Sequence, residues 1–397
     1  MAVIERPARE STSLAPADLF EVDDLLGDDD RLIRDTVRAL VRDQVLPVIG
    51  LHFEAGTFPR ELVSQLAGLG LLGMHLRGYG CAGASALAYG VASEELEAGD
   101  SAVRSFVSVQ GSLAMFPIWR YGSEDQRTRW LPEMAAGRAI GCFGLTEPDS
   151  GSDAGAMRTV ARRDGGDWVI DGTKMWITNG SIADVAVVWA QTDSGVQGFL
   201  VERGVKGFTA IDVTRKLSLR ASVTSELSLD AVRVPESSRL PEARGLAAPL
   251  SCLNEARYGI AWGAMGAARA CFEAALDYSR QRQAFGRAIA AFQLTQQKLA
   301  DMATSIVQGR LVAQRLGSLK DAGRVQPVQV SLAKRANVRI ALDIARSART
   351  ILGANGVTLE YPVARHMANL ESVLTYEGTE EVHTLIIGKT VTGVDAF

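Results

Sequence analysis

The strongest constraint on the fold is a change of texture inside the chain. Between about residues 139 and 245 the sequence breaks into short runs rich in Val, Ile, Thr and Trp: DWVIDGTKMWIT, VAVVWAQT, QGFLVE, FTAIDV and ELSLDAVRV, separated by Gly, Asp and Ser. Runs of this kind, bounded by turn formers, read as strands. On either side the apolar residues recur at steps of three and four, the period of a helix with one buried face. In DDRLIRDTVRALVRDQVLPVI those positions are Leu32, Ile33, Val37, Leu40, Val41 and Val45. In FQLTQQKLADMATSIVQGRLVAQRLGSL they are Leu299, Met302, Ile306, Val312, Leu316 and Leu319. A helical–β–helical order excludes both an alternating βαβ fold and a plain bundle. No period of 20–50 residues repeats, so the chain is not a solenoid.

The layout predicts an α+β protein of several domains: a tail over 1–27, a helical domain over 28–138, a β-sheet or barrel domain over 139–245, and a helical domain over 246–397. The length and closeness of the last helices predict a four-helix bundle. Local signals sharpen the N-terminal part. Pro59 stands near the start of FPRELVSQLAGLGLLG and glycines end it. A helix over 84–98 is stopped at Gly99-Asp100-Ser101, where Asp100 or Ser101 can cap the next one, and Ser123 is placed to cap SEDQRTRWLPEM. Gly68-Leu-Gly-Leu-Leu-Gly73 matches the dinucleotide fingerprint letter for letter, but that motif needs a strand before it. A helix precedes it here, so it reads as a helix end and turn.

Composition removes several functions. With 47% hydrophobic and 22% charged residues the chain can build a sizeable core. A net charge of −4, with acids and bases mixed, lacks the basic footprint of a nucleic-acid binder. Cys81, Cys142, Cys252 and Cys271 form no CxxC pair and read as reduced thiols. With only four histidines, His52, His75, His366 and His383, and no HExxH, no metal site is expected. The first residues carry an acid at position 5 and no apolar core, so they do not read as a secretory signal. No apolar stretch is long enough to span a bilayer. A soluble cytoplasmic protein is expected.

Three polar, glycine-bearing stretches stand apart from the packing patterns: CFGLTEPDSGSD (142–153), KMWITNG (174–180) and TYEGT (375–379). Alone, the first is either an ordinary loop or a cradle of N–H groups and hydroxyls for an anion or a planar polar ring. Trp176 alone reads as core. Glu377 alone reads as an acid near a helix N-terminus, and Glu97 with Arg104 as a surface pair.

Together and in order, these stretches resemble the acyl-CoA dehydrogenase family, with RQAFG (282–286), GANG and EYP (353–356 and 360–362) in support. The resemblance runs from about residue 28 to the C-terminus. Within the family it is most similar to the glutaryl-CoA dehydrogenases, through VRSFVSVQGSLAM, KLSLRAS and HMANLESVLTYEGTEEVHTLIIG.

The resemblance implies FAD as cofactor. Phe143, Leu145 and Thr146 would hydrogen-bond the flavin ring, the first two through backbone groups. Ser152 would lie near the pyrophosphate and the acyl chain. Trp176 would cover one flavin face, with the Thr178 hydroxyl near N5. Arg282, Phe285 and Gln293 would reach the FAD of a neighbouring subunit, which implies a homotetramer. Gly353 and Asn355 would meet the diphosphate, and Thr379 would lie on the FAD side. Ala284 and Ala354 depart from the Thr and Gly that relatives often carry.

For the substrate, the resemblance implies that Arg257 holds the CoA portion and that Glu377 is the catalytic base. Desolvation in an apolar pocket suits that task, because it disfavours the charged form and strengthens the base. The backbone N–H of Glu377 and a ribityl hydroxyl of FAD would stabilise the thioester oxygen. Glu380 and Glu381 read as helix-start acids and His383 as a helix residue. Arg104 would bind a distal carboxylate, with Glu97, Tyr376 and Ser105 lining that end. The implied reaction is oxidation of glutaryl-CoA, loss of CO2 and release of crotonyl-CoA, with electrons passed to an electron-transfer flavoprotein. Three alternatives stay open: a dehydrogenase for another short or dicarboxylic acyl thioester, an acyl-CoA oxidase, and a non-catalytic flavin- or CoA-binding protein.

Overall fold

A computed structural model describes residues 14–396. Of the expected tail, residues 1–13 lie outside the described part, while 14–26 form turns and a short 3-10 segment (Val22–Leu25) laid on the helices. Helix begins at Asp28, with acids filling the first turn where they complement the helix dipole. α1 (Asp28–Leu40) passes through one widened π turn into α2 (Leu46–Ala55), and α3 (Leu62–Gly68) follows. Val37, Val41 and Val45 of the predicted stripe are buried, but Leu32 points outward at 67% exposure.

Gly68–Gly73 follows a helix and leads to a small hairpin, β1 (Arg77–Gly78) with β2 (Cys81–Ala82), so the fingerprint geometry is absent. α4 (Ala86–Gly99) is capped by Ser85, and α5 (Ser101–Ser108) by Asp100, whose carboxylate accepts from Ala102 N at 2.7 Å. α6 (Phe116–Tyr121) and α7 (Glu124–Ala135) close this part, and a capping box of Ser123 and Gln126 starts α7.

The middle is a seven-stranded sheet of β3 (Gly141–Gly144), β4 (Val160–Asp164), β5 (Asp167–Thr178), β6 (Val185–Thr192), β7 (Gly195–Glu202), β8 (Phe208–Asp212) and β9 (Thr224–Pro235). The strand order is β3-β6-β4-β5-β9-β8, with β7 also on β6. β6 runs parallel to β3 and β4, and the other pairs are antiparallel. Among the described residues β3 and β8 do not pair, so the sheet stays open.

Helix then returns. α8 (Ala247–Gln281) leads to a two-residue-per-strand hairpin, β10 (Gln283–Ala284) and β11 (Arg287–Ala288). α9 (Gln293–Asp321), α10 (Pro327–Leu352), α11 (Pro362–Thr375) and α12 (Glu380–Thr392) complete the chain. One apolar cluster runs through α8, α9, α10 and α11, including Ile260, Met302, Val338 and Leu370. These four form the expected bundle, and α12 rests on α10. Of the predicted α9 stripe, Met302, Ile306 and Leu316 are buried and Leu299, Val312 and Leu319 partly so. The long flank of α8 also packs against α4, which joins the two helical parts beside the sheet. No described helix is long and apolar enough to cross a membrane.

Candidate active site

The residues expected around the acyl group converge where α4, α5, α8 and α10 meet the link between α11 and α12. α12 starts at Glu380 with Thr379 as its N-cap, accepting from Val382 N at 3.2 Å. Glu377 therefore lies before the helix and is not one of its first-turn acids. It sits at φ 52, a conformation that costs a non-glycine residue on the order of 1–3 kcal/mol. Gly378 follows at φ +97, and a Cβ there would stand 2.8 Å from His383 Nε2. The turn is thus sharp and tightly backed.

Glu377 is partly exposed as a residue, yet its Oε2 is enclosed and has no hydrogen-bond partner among the described residues. Burial pushes its carboxyl above the usual range, against the opposing charges of Arg104, Lys334 and Arg257. Arg257 is not a surface arginine: it is 8% exposed, and its Nε donates to the Glu377 carbonyl at 2.7 Å. Burial lowers its own pKa and Glu377 opposes that.

The Glu97–Arg104 pair is not on the surface either, at 0% and 1% exposure. The break at Asp100 turns α5 so that Arg104 Nε donates to Glu97 Oε2 at 2.7 Å. Arg104 Nη2 donates to the Tyr376 hydroxyl, which also lies 3.2 Å from Ser105 Oγ. Arg104 Nη1 and Glu97 Oε1 are buried without partners among the described residues. Burial drives the Tyr376 hydroxyl up to about 12, so it stays protonated. Burial alone would lower the Arg104 pKa, but Glu97 and Tyr376 raise it, and the guanidinium stays charged.

Several supporting residues were not found from the sequence. Gly263 on α8 makes room for Glu97, since a Cβ there would fall 2.0 Å from Glu97 Oε2. Asp100 accepts from Arg365 Nη1 and from Asn369 Nδ2 at 2.9 Å, tying the start of α5 to α11. Asn369 Oδ1 in turn accepts from Leu219 N at 2.8 Å, in the segment leading to β9. Lys334 holds the turn around Glu377. Its signal was a lysine one helical turn from both Val330 and Val338 on a buried stripe. His383 is buried against Gly378, and burial, then Lys334 and Arg257, push its ring down to about 3.

The residues expected around the flavin form a second group. Lys174 is fully buried. Its Nζ donates to Leu145 O at 3.0 Å and to Glu147 Oε1 at 2.8 Å, and Glu147 also accepts from Thr159 N at 2.9 Å. Met175 N donates to Thr146 O at 2.8 Å. These bonds fix the loop after β3, with Phe143 and Leu145 buried and Ser152 exposed at its far end. The register between β5 and β9 shifts between Lys174 and Ile177. Trp176 lies in that irregularity at φ 64 and is 58% exposed, so it is not a core residue. Among the described residues the Thr146 and Thr178 hydroxyls form no hydrogen bond.

Phe285, at the tip of the β10–β11 hairpin, has φ 50 and is 96% exposed. It overhangs a notch of about 230 Å³ lined by Phe292, Thr295, Lys298, Thr350 and Ile351. Arg282 and Gln293 flank the hairpin and are exposed, as are Gly353 and Asn355 after α10, where Asn355 Nδ2 donates to the Tyr278 hydroxyl at 3.1 Å. Glu377, Trp176 and Phe285 all carry positive φ, which non-glycine residues adopt where surroundings over-determine them. An outward indole beside free hydroxyls and a fixed loop fits a planar polar ring.

The chain matches the acyl-CoA dehydrogenase N-terminal domain over residues 27–138, the middle domain over 142–232 and the C-terminal domain over 243–392. It belongs to the acyl-CoA dehydrogenase family and is an FAD-dependent oxidoreductase. Among its relatives, the crystal structure of a glutaryl-CoA dehydrogenase from Mycobacterium smegmatis superposes with a TM-score of 0.95 at 61% identity, covering 97% of this chain and 100% of that one. A glutaryl-CoA dehydrogenase from the same organism in complex with FADH2 gives 0.96 at 59%, with the same coverage. The mitochondrial short-chain specific acyl-CoA dehydrogenase of Homo sapiens is 36% identical over 364 residues, 90% of this chain and 88% of that protein.

Proposed function

We propose that the protein oxidises and decarboxylates glutaryl-CoA to crotonyl-CoA and CO2. The observation that carries this reading is the buried Glu97–Arg104–Tyr376 array, joined through Tyr376 directly to Glu377. A pocket for a simple fatty acyl chain gains nothing from an enclosed guanidinium that keeps one donor unpaired, because a buried donor without a partner is costly. A substrate with a carboxylate at its far end gives that guanidinium a further partner through Arg104 Nη1, which has none among the described residues.

In this reading Arg257 steadies the turn next to the CoA portion, and Ser152 lies near the pyrophosphate and the acyl chain. Glu377 takes the proton from the α-carbon, and its N–H receives the charge that develops on the thioester oxygen. When bound, FAD supplies the acceptor for the hydride leaving the β-carbon. Phe143, Leu145, Thr146, Trp176, Thr178 and Thr379 would hold its ring system, and Gly353 and Asn355 its diphosphate. The product of that step is an α,β-unsaturated thioester whose carboxylate stands on the γ-carbon, next to the new double bond. The bond to the carboxyl carbon then breaks, CO2 leaves, and the electron pair is delocalised into the thioester. The proton held on Glu377 returns to the carbon that lost CO2. Glu97 already shares the charge of Arg104, so the substrate carboxylate meets a nearly neutral pair. That arrangement orients the carboxylate without opposing its departure as a neutral gas.

Two further parts of the proposal concern partners. Arg282, Phe285 and Gln293 face outward because they complete the FAD site of another copy, in a homotetramer. An electron-transfer flavoprotein accepts the electrons. The test is incubation of the FAD-loaded protein with glutaryl-CoA and an artificial electron acceptor, followed by mass analysis of the thioester. Crotonyl-CoA with one CO2 released per turnover is expected. Glutaconyl-CoA alone would mean a dehydrogenase without decarboxylation, and turnover at full rate with peroxide and no added acceptor would mean an oxidase.

A further inference from the structure

Lys334 lies on α10 and is 1% exposed. Its ammonium donates to the carbonyl of Tyr376 and, at 2.6 Å, to the carbonyl of Gly378. The carbonyl between them, that of Glu377, accepts from Arg257 Nε. Three consecutive carbonyls of one turn are thus held by two buried cations. A buried ammonium is costly unless its donors are satisfied, and what it holds here is the frame of the residue read as the base.

The chain has no cis peptide among its described residues, so the Tyr376 carbonyl and the Glu377 N–H are opposite ends of one planar trans unit. A cation fixed on the oxygen therefore sets the direction of the N–H. It also draws electron density toward the oxygen, which makes the N–H a stronger donor. That N–H has no partner among the described residues. The left-handed conformation of Glu377 needs restraint from both sides, and the two Lys334 bonds supply it.

We propose that Lys334 is a positioning residue for the reaction: by holding the carbonyls on both sides of Glu377, it aims the carboxylate at the α-carbon and the N–H at the thioester oxygen. The inference rests on reading Glu377 as the base. Groups facing Lys334 are Glu377 and Tyr376 from the turn, Arg257 from α8, Arg104 from α5 and His383 from α12. Burial brings Lys334 down to about 7, Glu377 opposes this, and Arg257 and Arg104 add to it.

The test compares FAD-loaded wild type with Lys334→Met, Lys334→Arg and Glu377→Gln, using glutaryl-CoA and an artificial acceptor. Lys334→Met should lower kcat by about 10²-fold, the loss typical of one oxyanion donor, with KM changed less than about threefold. The acid limb of kcat/KM should move to higher pH, because one of the charges that lowers the Glu377 pKa is gone. Lys334→Arg, which keeps charge and donors, should restore most of kcat and return the limb. If Lys334→Met does not load FAD, Lys334→Gln serves instead, with a reduced kcat and the same limb shift expected. Unchanged kcat and limb in the neutral variant would overturn the inference, as would a loss without a limb shift that Arg does not rescue. If Glu377→Gln is inactive while the neutral variant behaves as wild type, only the role of Lys334 falls. If Glu377→Gln turns over normally, the reading of Glu377 as the base falls.

Discussion

The acyl end of the site and its flavin side are built in opposite ways. Around Glu377 the side chains are enclosed and partnered within one chain: Arg104 and Glu97 at 1% and 0% exposure, Lys334 at 1%, Arg257 on the turn itself. On the flavin side the expected contacts face outward, with Trp176 at 58% exposure and Phe285 at 96%. The acyl end is pre-organised on folding, by packing and by bonds between helices distant in sequence. In the proposed function, the flavin side becomes complete through what it binds. A change in the first region should therefore act on chemistry and specificity, and a change in the second on cofactor retention and assembly.

The largest expected effect is at the proposed base. Glu377→Gln should lower kcat by about 10³-fold while FAD content, read from absorbance of the purified protein, stays at the wild-type level. Loss of FAD in this variant would break the separation between the two regions. Next is Gly263→Ala, whose added methyl would meet Glu97 Oε2. Displacing that carboxylate moves Arg104, and kcat/KM for glutaryl-CoA should fall by about 10²-fold, with FAD binding again unchanged.

On the outer side, Phe285→Ala should weaken FAD retention by about tenfold and shift the sedimentation profile toward smaller species, while kcat at saturating FAD stays within about twofold. A kcat loss at saturating FAD would place Phe285 in the chemistry. The smallest effect concerns pH. His383 titrates at about 3 when folded and near 6.5 in an unfolded chain, so between these values the unfolded state binds more protons. Its contribution is present above 6.5 and is lost as pH falls toward 3. Thermal melts of the holoenzyme should drop over that window, and less steeply for His383→Asn.

Much of this contrast was legible in the sequence. The change from apolar residues at steps of three and four to short Val-, Ile- and Thr-rich runs bounded by Gly, Asp and Ser marks the helical and β parts. TYEGT and KMWITNG stand apart as polar, glycine-bearing stretches between the packing patterns. Single-residue reasoning went astray where tertiary context decides. Trp176 reads as core because most indoles are buried, but a strand irregularity turns it out. Glu97 and Arg104 read as a surface pair because the break at Asp100 hides their alignment, and only the packing of α4 against α8 encloses them. Gly263 and Lys334 carry no motif. Their roles come from what lies opposite them in space, although a lysine on an apolar stripe is a signal that sequence reading can use.

The substrate is the central claim, and the ratio of two kcat/KM values tests it most directly. We predict that wild type prefers glutaryl-CoA over butyryl-CoA, which lacks the distal carboxylate. Arg104→Gln should erase that preference, cutting kcat/KM for glutaryl-CoA by about 10²–10³-fold and that for butyryl-CoA far less. An unchanged ratio would contradict the account and favour a dehydrogenase for another short acyl thioester.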